Sequence, residues 1–241
     1  DRGLVLQQTR DSLVLHLHAE NAVTSGGKGA VVKSLSDLSG KNHHATQAET
    51  GARPTLVSDA MGDKPALHFN GSGQFMKIAG QVLADPLCTI VCVVRDDNGS
   101  GHRTLFSNWN GRAGNSTSSL FLGLTAENTV RFSDALGSAG EVSGRTKPFI
   151  LTAVNGLKAA SVFQNSRLLK TASQLPERRL DTAWVLGQQG NINGEFWKGG
   201  VAEIRVYDRA LSHLELQIVE TELAEHYDVN KLCTRNNIVY S

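Results

Sequence analysis

The sequence predicts an all-β protein, a two-sheet antiparallel sandwich that ends in one C-terminal capping helix. Three observations lead to this fold class. Short runs of alternating apolar and polar residues recur, loops rich in Gly, Asn, Ser and Asp separate them, and helical spacing appears only near the end. Alternation is typical of half-buried strands, and many such strands need a second sheet to cover their apolar faces.

Eleven runs predict strands, because each alternates or is strongly apolar and is bounded by turn-forming residues. In chain order they are LVLHLHA, ALHFNG, FMKIAG, TIVCVVRD, RTLFSN, SLFLGLT, TVRFSD, FILTAVN, SVFQNS, AWVLGQ and AEIRVYD. They show no repeat of fixed period, so a propeller or a solenoid is not indicated.

The last strand and the helix meet in the segment 201–229. Alternation predicts that this strand has two faces, one with Ala202, Ile204 and Val206 and the other with Glu203, Arg205 and Tyr207. Ser212 and Glu215 then form a capping box, which predicts a helix over about residues 213–226. The apolar stripe of this helix consists of Leu216, Val219, Leu223 and Tyr227. We expect this stripe to pack onto the sandwich rather than to bind a partner.

The domain organisation follows from these elements. We expect a leading segment or linker at 1–11, one sandwich domain at 12–229 and a tail at 230–241. The first residue is Asp rather than Met, which is typical of a processed chain or of a fragment.

Composition excludes some partners. The 241 residues carry a net charge of +1, which gives no electrostatic footprint for nucleic acid or an acidic membrane surface. No apolar run approaches the roughly 18–20 residues that span a bilayer, so no membrane insertion of this domain is expected. Sequons at Asn70, Asn98 and Asn115 fall in Gly/Ser-rich turns and favour an extracellular or cell-surface protein, with the periplasm as an alternative.

Three cysteines give little information on the redox compartment. Cys88 and Cys92 share one face of a predicted strand and lie about 13 Å apart, too far to bond each other. Buried thiols are the simpler interpretation, and a disulfide of either residue with Cys233 is the alternative.

Four stretches carry a resemblance to a known family. They are KSLSDLSGKNHHATQ, KPALHFNGSGQFMKI, WVLGQQGNINGEFWKGG and VAEIRVYDRALSHLE. In content and order they resemble the laminin G-like jelly-roll domains of the concanavalin A-like lectin/glucanase superfamily, over roughly residues 12–229. The resemblance implies a jelly roll of two antiparallel sheets. It leaves the function open, because this scaffold carries lectins, adhesion modules, hydrolases and lyases.

Catalysis is not indicated. Glycosidic hydrolysis needs two carboxylates about 5–9.5 Å apart, and the E-x-D-x-x-E signature of the glucanase branch is absent. Glu203 shares its predicted face with Arg205, and a surface ion pair is the simpler interpretation. The sequence shows no evident Tyr/His pair with a neutralising Arg for a lyase, and no G-x-S-x-G elbow for a nucleophile. We therefore expect a protein that is not an enzyme.

Two metal hypotheses remain. His16 and His18 lie about 6.6 Å apart on one strand face, and with His43 and His44 they suggest zinc, although polar residues on the solvent face of an edge strand are a simpler account. The resemblance implies calcium held by loop oxygens. Its candidate ligands are Asp96, Asp97 and Asn98, with Asn108 and Asn110 as a second choice. DDNG is also a good turn sequence, in which these side chains serve the backbone.

Sugar binding needs a flat aromatic ring beside amides and charged groups. The loop FSNWNGRAGNS offers Trp109 for this role, and a turn residue folded back on the sheet is the alternative. The loop GQQGNINGEFWKGG offers amides before Trp197, whose neighbour Phe196 favours packing instead, and Trp184 is assigned to the core. The predicted ligand-binding residues are Asn108, Trp109, Asn110, Arg112, Gln188, Asn191 and Asn193.

The sequence therefore predicts a non-catalytic, lectin-like carbohydrate-binding module whose partner is a glycan or polysaccharide. The alternative is a structural or adhesion domain that binds protein within a surface assembly. A glycan-degrading hydrolase or lyase is a third possibility.

Overall fold

The fold is described from a computed structural model, which covers residues 2–26, 30–108, 119–133, 136–178, 180–181, 183–190 and 194–229. The helices in these ranges are α1 (Arg2–Asp11), η1 (Ala19–Asn21), η2 (Thr50–Ala52) and α2 (His213–His226), of which η1 and η2 are 3-10 turns. The strands are β1 (Leu13–His18), β2 (Ala22–Ser25), β3 (Val31–Leu35), β4 (Ala45–Thr46), β5 (Thr55–Met61), β6 (Lys64–Asn70), β7 (Met76–Ile78), β8 (Cys88–Asp96), β9 (Arg103–Ser107), β10 (Phe121–Leu124), β11 (Thr129–Phe132), β12 (Leu136–Glu141), β13 (Phe149–Asn155), β14 (Ala159–Gln164), β15 (Arg167–Ser173), β16 (Trp184–Leu186) and β17 (Lys198–Tyr207).

Strands dominate the described chain, and all eleven predicted strand runs are confirmed. The sequence did not reveal β2, β3, β4, β5, β12 and β15. β15 illustrates the reason, because it pairs with β14 and most of its residues are at least partly exposed, so it has no clear alternation. The prediction of a single helix is wrong, since α1 precedes the first strand.

The pairings between named strands in the described ranges are antiparallel and form two rows. The β17 row runs β15–β14–β13–β8–β17, after which β6 and β1 share the far side of β17 and β5 follows β6. The β9 row runs β12–β11–β10–β9–β16–β7–β4–β3–β2. The Val31–Thr55 pair between β3 and β5 joins the rows.

The largest apolar cluster contains side chains of both rows. Ile90, Leu151 and Ile204 come from the β17 row, while Leu105 and Trp184 come from the β9 row. The assignment of Trp184 to the core is confirmed, and Trp197 is also fully buried, as its packing interpretation predicts. Removing the apolar surface of this cluster from water, at about 25 cal/mol per Å², is the main favourable contribution to the free energy of folding.

Helix α2 packs on the opposite side of the β17 row. The predicted apolar stripe is buried in a second cluster, which also contains Val91 and Val93 of β8 and Ile150 of β13. The capping box is present, because Ser212 accepts from the Glu215 N–H and the Glu215 side chain accepts from the Ser212 N–H. The helix therefore covers a sheet face, and its predicted packing role is confirmed.

The predicted faces of β17 are partly wrong. The register with β8 shifts between Val201 and Glu203, which marks a β-bulge. An extra residue reverses the alternation, so Ala202 packs in the helix-side cluster while Val201 joins Ile204 in the main cluster.

Cys88 and Cys92 are free, buried thiols, as predicted. Burial raises the pKa of Cys88 to about 12, so this thiol stays protonated near neutral pH. Cys233 lies outside the described residues. Neither α-helix of the described chain has the length and apolar content to cross a bilayer.

Candidate functional site

The two loops predicted to bind a ligand begin from paired strands. Ser107 ends β9 and pairs with Val185 of β16. Its hydroxyl donates to the carbonyl of Gln188 at 3.1 Å and accepts from the N–H of Gly190 at 2.6 Å. The Ser107 hydroxyl therefore links the first residues of one loop to Gln188 and Gly190 at the beginning of the other.

Asn108 and Gln188 are the two predicted ligand-binding residues that the structure describes, and both are buried. The Asn108 side-chain oxygen accepts from the Leu120 N–H at 2.7 Å, and the Gln188 amide donates to the Gly190 carbonyl at 3.2 Å. These bonds shape the loops and do not favour direct contact with a ligand. The other predicted residues lie outside the described residues and stay predictions: Trp109, Asn110, Arg112, Asn191 and Asn193.

A polar and aromatic group next to these loops was not predicted. Arg131 of β11 lies over the Phe121 ring at 4.9 Å and donates to Glu195 at 2.7 Å. Thr104 of β9 donates to the same carboxylate oxygen at 3.1 Å. We call Thr104, Phe121, Arg131 and Glu195 the Arg131 patch. Glu195 stands in the quoted stretch GQQGNINGEFWKGG, but its partners come from distant strands, so the sequence alone did not connect them.

The Arg131 patch combines a cationic donor and an anionic acceptor that are partly exposed. Arg131 and Glu195 are 14% and 27% exposed, so both can be reached from solvent. A guanidinium provides several fixed donors and a carboxylate provides acceptors, which together suit vicinal hydroxyl groups.

The residues predicted to bind calcium are engaged with protein cations. Asp96 is fully buried and accepts from Arg103 at 2.6 and 3.0 Å, from Arg145 at 2.7 Å and from the Gly99 N–H at 3.1 Å. Asp97 accepts from Arg95 at 2.6 Å, and Asn98 accepts from Arg145 at 3.0 Å. Calcium takes 6–8 oxygen ligands, and here an ion would have to displace guanidinium groups. Asp96, Asp97 and Asn98 therefore do not fit a calcium site.

The four histidines considered for zinc do not come together. His44 accepts from the Asp37 N–H at 3.0 Å, and His43 contacts the Ala79 carbonyl at 2.7 Å. His16 and His18 are only 18% and 12% exposed, so they do not lie on a solvent face as the alternative interpretation held. They surround Glu203 instead.

Glu203 is the centre of a buried polar cluster. It is 2% exposed, its Oε1 accepts from Arg205 at 2.6 Å and lies 2.7 Å from His16 Nε2, and its Oε2 accepts from Tyr227 at 2.9 Å. Burial by itself would raise the pKa of Glu203, but the hydrogen bond with His16 and the charge of Arg205 outweigh it and hold the pKa at about 2. The predicted surface ion pair is therefore a buried one.

The Glu203 cluster also corrects the argument about lyases. Tyr227, His18 and Arg205 do meet here, with the Tyr227 hydroxyl 3.0 Å from His18 Nε2. Tyr227 is 2% exposed, and burial together with the Glu203 charge raises its pKa. A tyrosine in this state is a poor base, and it has no access to a polymer. The contacts of Tyr227 instead connect the C-terminal end of α2 to β1 and β17 through hydrogen bonds.

No family model matches the chain, and no curated protein matches it. Solved structures do. The chain is similar to domain 4 of AbnA, a GH43 extracellular arabinanase from Geobacillus stearothermophilus, in complex with arabinotriose, with 14% identity, a TM-score of 0.59 and coverage of 87% of this chain and 98% of that one.

Two other solved structures match part of a longer chain. The botulinum neurotoxin serotype D binding domain gives 15% identity and a TM-score of 0.60, covering 91% of this chain and 53% of that one. Trypanosoma rangeli sialidase in complex with sialic acid gives 14% identity and a TM-score of 0.59, covering 90% of this chain and 33% of that one. The comparisons therefore show a β fold that this chain shares with domains of an arabinanase, a neurotoxin and a sialidase.

Proposed function

We propose that the protein is a non-catalytic, lectin-like carbohydrate-binding module of an extracellular or cell-surface protein. We further propose that its two strand rows are the sheets of a laminin G-like jelly-roll sandwich. The shared apolar cluster of both rows supports this arrangement, since two packed sheets bury their inner faces against each other.

One observation carries the functional proposal. The match to the arabinanase domain extends over 98% of that domain, so the whole unit corresponds, and that domain was solved with arabinotriose. Whole-unit correspondence makes a binding module a better account than a fragment of a catalytic domain.

The proposed binding surface has the Arg131 patch as its described part, with Trp109 and the QQGNIN loop as predicted walls. Arg131 supplies donors, Glu195 supplies acceptors and Phe121 supplies an aromatic plane under the guanidinium. A sugar presents hydroxyls at its rim, which these donors and acceptors complement. Phe121 is only 6% exposed and lies under the guanidinium, so the apolar face of the sugar is left to Trp109, the predicted aromatic wall.

A glycan array that contains arabino-oligosaccharides and sialylated oligosaccharides tests the proposal. We expect binding that Arg131→Ala weakens about tenfold or more, while Arg167→Ala, a matched change of an exposed arginine on β15, leaves binding unchanged. Binding that survives Arg131→Ala would place the sugar elsewhere on the module. Silence over the whole array would contradict the proposed function, and release of a product would make the protein an enzyme.

One observation favours the second candidate, a structural or adhesion domain that binds protein. A groove of about 730 Å³ lies between α1 and α2, and Leu214, 51% exposed, is among its lining residues. If this groove binds protein, Leu214→Glu should abolish crosslinking to proteins of the native surface. Leu157→Glu, at a 79% exposed leucine elsewhere, should leave it intact.

A further inference from the structure

We propose that His18, Glu20 and His226 form a binding site for a first-row transition metal ion, with zinc as the first choice. His18 ends β1 and caps η1, Glu20 lies within η1, and His226 is the last residue of α2. One ligand atom from each side chain lies within 4.8 Å of those of the other two. The fold thus brings together two parts of the chain that are distant in sequence.

The distances suit zinc after a small adjustment. Zinc bonds of about 2.0–2.1 Å in a tetrahedral site place neighbouring ligand atoms about 3.3 Å apart. His226 Nε2 and Glu20 Oε1 are already 3.6 Å apart. These two side chains are 38% and 44% exposed, which leaves room for adjustment, and the His226 ring already packs against Tyr227 at 4.6 Å and against His18 at 5.7 Å between ring centroids.

The donor set selects the class of metal. Two imidazoles and one carboxylate suit zinc and its neighbours, whereas calcium and magnesium prefer oxygen alone. Three protein ligands leave a fourth position of the tetrahedron for water or another ligand.

His18 has the support that a metal-binding histidine usually has. Its Nε2 contacts the Tyr227 hydroxyl at 3.0 Å and lies 3.3 Å from the Glu203 carboxylate, which fixes the ring. Its Nδ1 faces η1 and accepts a long 3.2 Å bond from the Glu20 N–H, which the metal would replace.

The surrounding charge favours a cation. Glu20 and Glu203 bring two negative charges to this junction, and the nearby Arg205 is bonded to Glu203 and to Glu222. A bound ion would tie β1 and η1 to the C-terminal end of α2.

The test is a titration of metal-free, untagged protein with zinc near neutral pH, followed by calorimetry. We expect about one equivalent to bind, and His226→Ala and Glu20→Gln each to weaken binding about tenfold or more. His102→Ala, which removes an exposed histidine elsewhere, should leave affinity unchanged. Zinc should also raise the melting temperature of the wild type but not of His226→Ala, since only the wild type gains binding energy in the folded state.

Several outcomes would overturn the proposal. They are no zinc binding by the wild type, equal affinity in His226→Ala, and an equal loss in His102→Ala. X-ray absorption of the loaded protein gives an independent check, with two imidazole nitrogens expected at about 2.0 Å. Because His226 and Glu20 are exposed, the variants should fold, and circular dichroism can verify this directly.

Discussion

Asp96 joins three parts of the chain through one fully buried carboxylate. Its charge is matched by Arg103, which is 1% exposed, and by Arg145. We expect Asp96→Asn to lower the free energy of unfolding by about 3–5 kcal/mol, because it leaves the Arg103 charge buried without its partner. Urea denaturation measures this loss.

Asp97→Asn is the matched control for Asp96. Asp97 is 25% exposed and pairs with Arg95, also 25% exposed, so its loss should cost about 1 kcal/mol or less. Equal losses in the two variants would contradict the assigned role of Asp96.

Trp109→Ala tests the predicted ligand surface. A tryptophan among Asn, Gly, Ser and Arg exposes its apolar face unless a ligand covers it, at about 25 cal/mol per Å². We expect glycan binding to weaken by about 1–3 kcal/mol and the melting temperature to stay nearly unchanged. A loss of stability of about 3 kcal/mol or more would instead assign Trp109 to the core.

Residue type alone predicts the wrong degree of burial for two polar side chains. Glu203 and Asn108 were expected at the surface because such residues are usually exposed. Both are buried. Glu203 is bonded to His16, 187 residues away in sequence, and to Tyr227, while Asn108 accepts from the Leu120 N–H across its own loop. A single sequence does not show which distant segments meet, so the candidate site was less predictable than the strands.

At the level of elements, α2 was predictable and α1 was not. The capping box and the stripe of α2 are local patterns. In α1 the apolar residues Leu4, Val5 and Leu6 are consecutive, which gives no helical spacing. Its position depends on contacts with α2, where Thr9 donates to Glu215 at 2.9 Å.

Glu215 links these helices and gives the protein a specific acid sensitivity. The hydrogen bond from Arg209 holds the pKa of Glu215 at about 2, below the ordinary value of 4.5, although burial acts in the opposite direction. A carboxyl group with a lowered pKa stabilises the fold above the unfolded value, and this contribution disappears as the pH falls from 4.5 toward 2. We therefore expect Glu215→Gln to have a shallower dependence of unfolding free energy on pH over this interval than the wild type.

Ser212→Ala is the control for Glu215. It removes a cap and should cost roughly 1 kcal/mol at all pH values. Most of the acid-dependent loss should persist, because Arg209 and Thr9 still bind the carboxylate. Parallel pH profiles of the wild type and Glu215→Gln would show that another group causes the acid sensitivity.

At the level of the whole molecule, we expect no hydrolase or lyase activity. The Tyr227, His18 and Arg205 set is closed by its own contacts with Glu203, which has a pKa of about 2 and is a weak base. Incubation with a polysaccharide panel should release no product, as detected by reducing-end assay and by absorbance of unsaturated sugars. Product release that is abolished by Glu203→Gln would contradict this expectation.

The position of β17 has a consequence for biosynthesis. This strand follows β1, β6 and β8 in sequence by about 100 residues or more, yet it pairs with β8 on one side and with β1 and β6 on the other. Pairings between such distant segments form slowly, because long loops must close first. During translation, the edges of β1, β6 and β8 that pair with β17 therefore keep unpaired N–H and C=O groups until β17 is made. Such edges are prone to pair with other molecules. The nascent chain is thus most exposed to aggregation in the interval before residues 198–207 leave the ribosome, and that is when chaperone protection matters most.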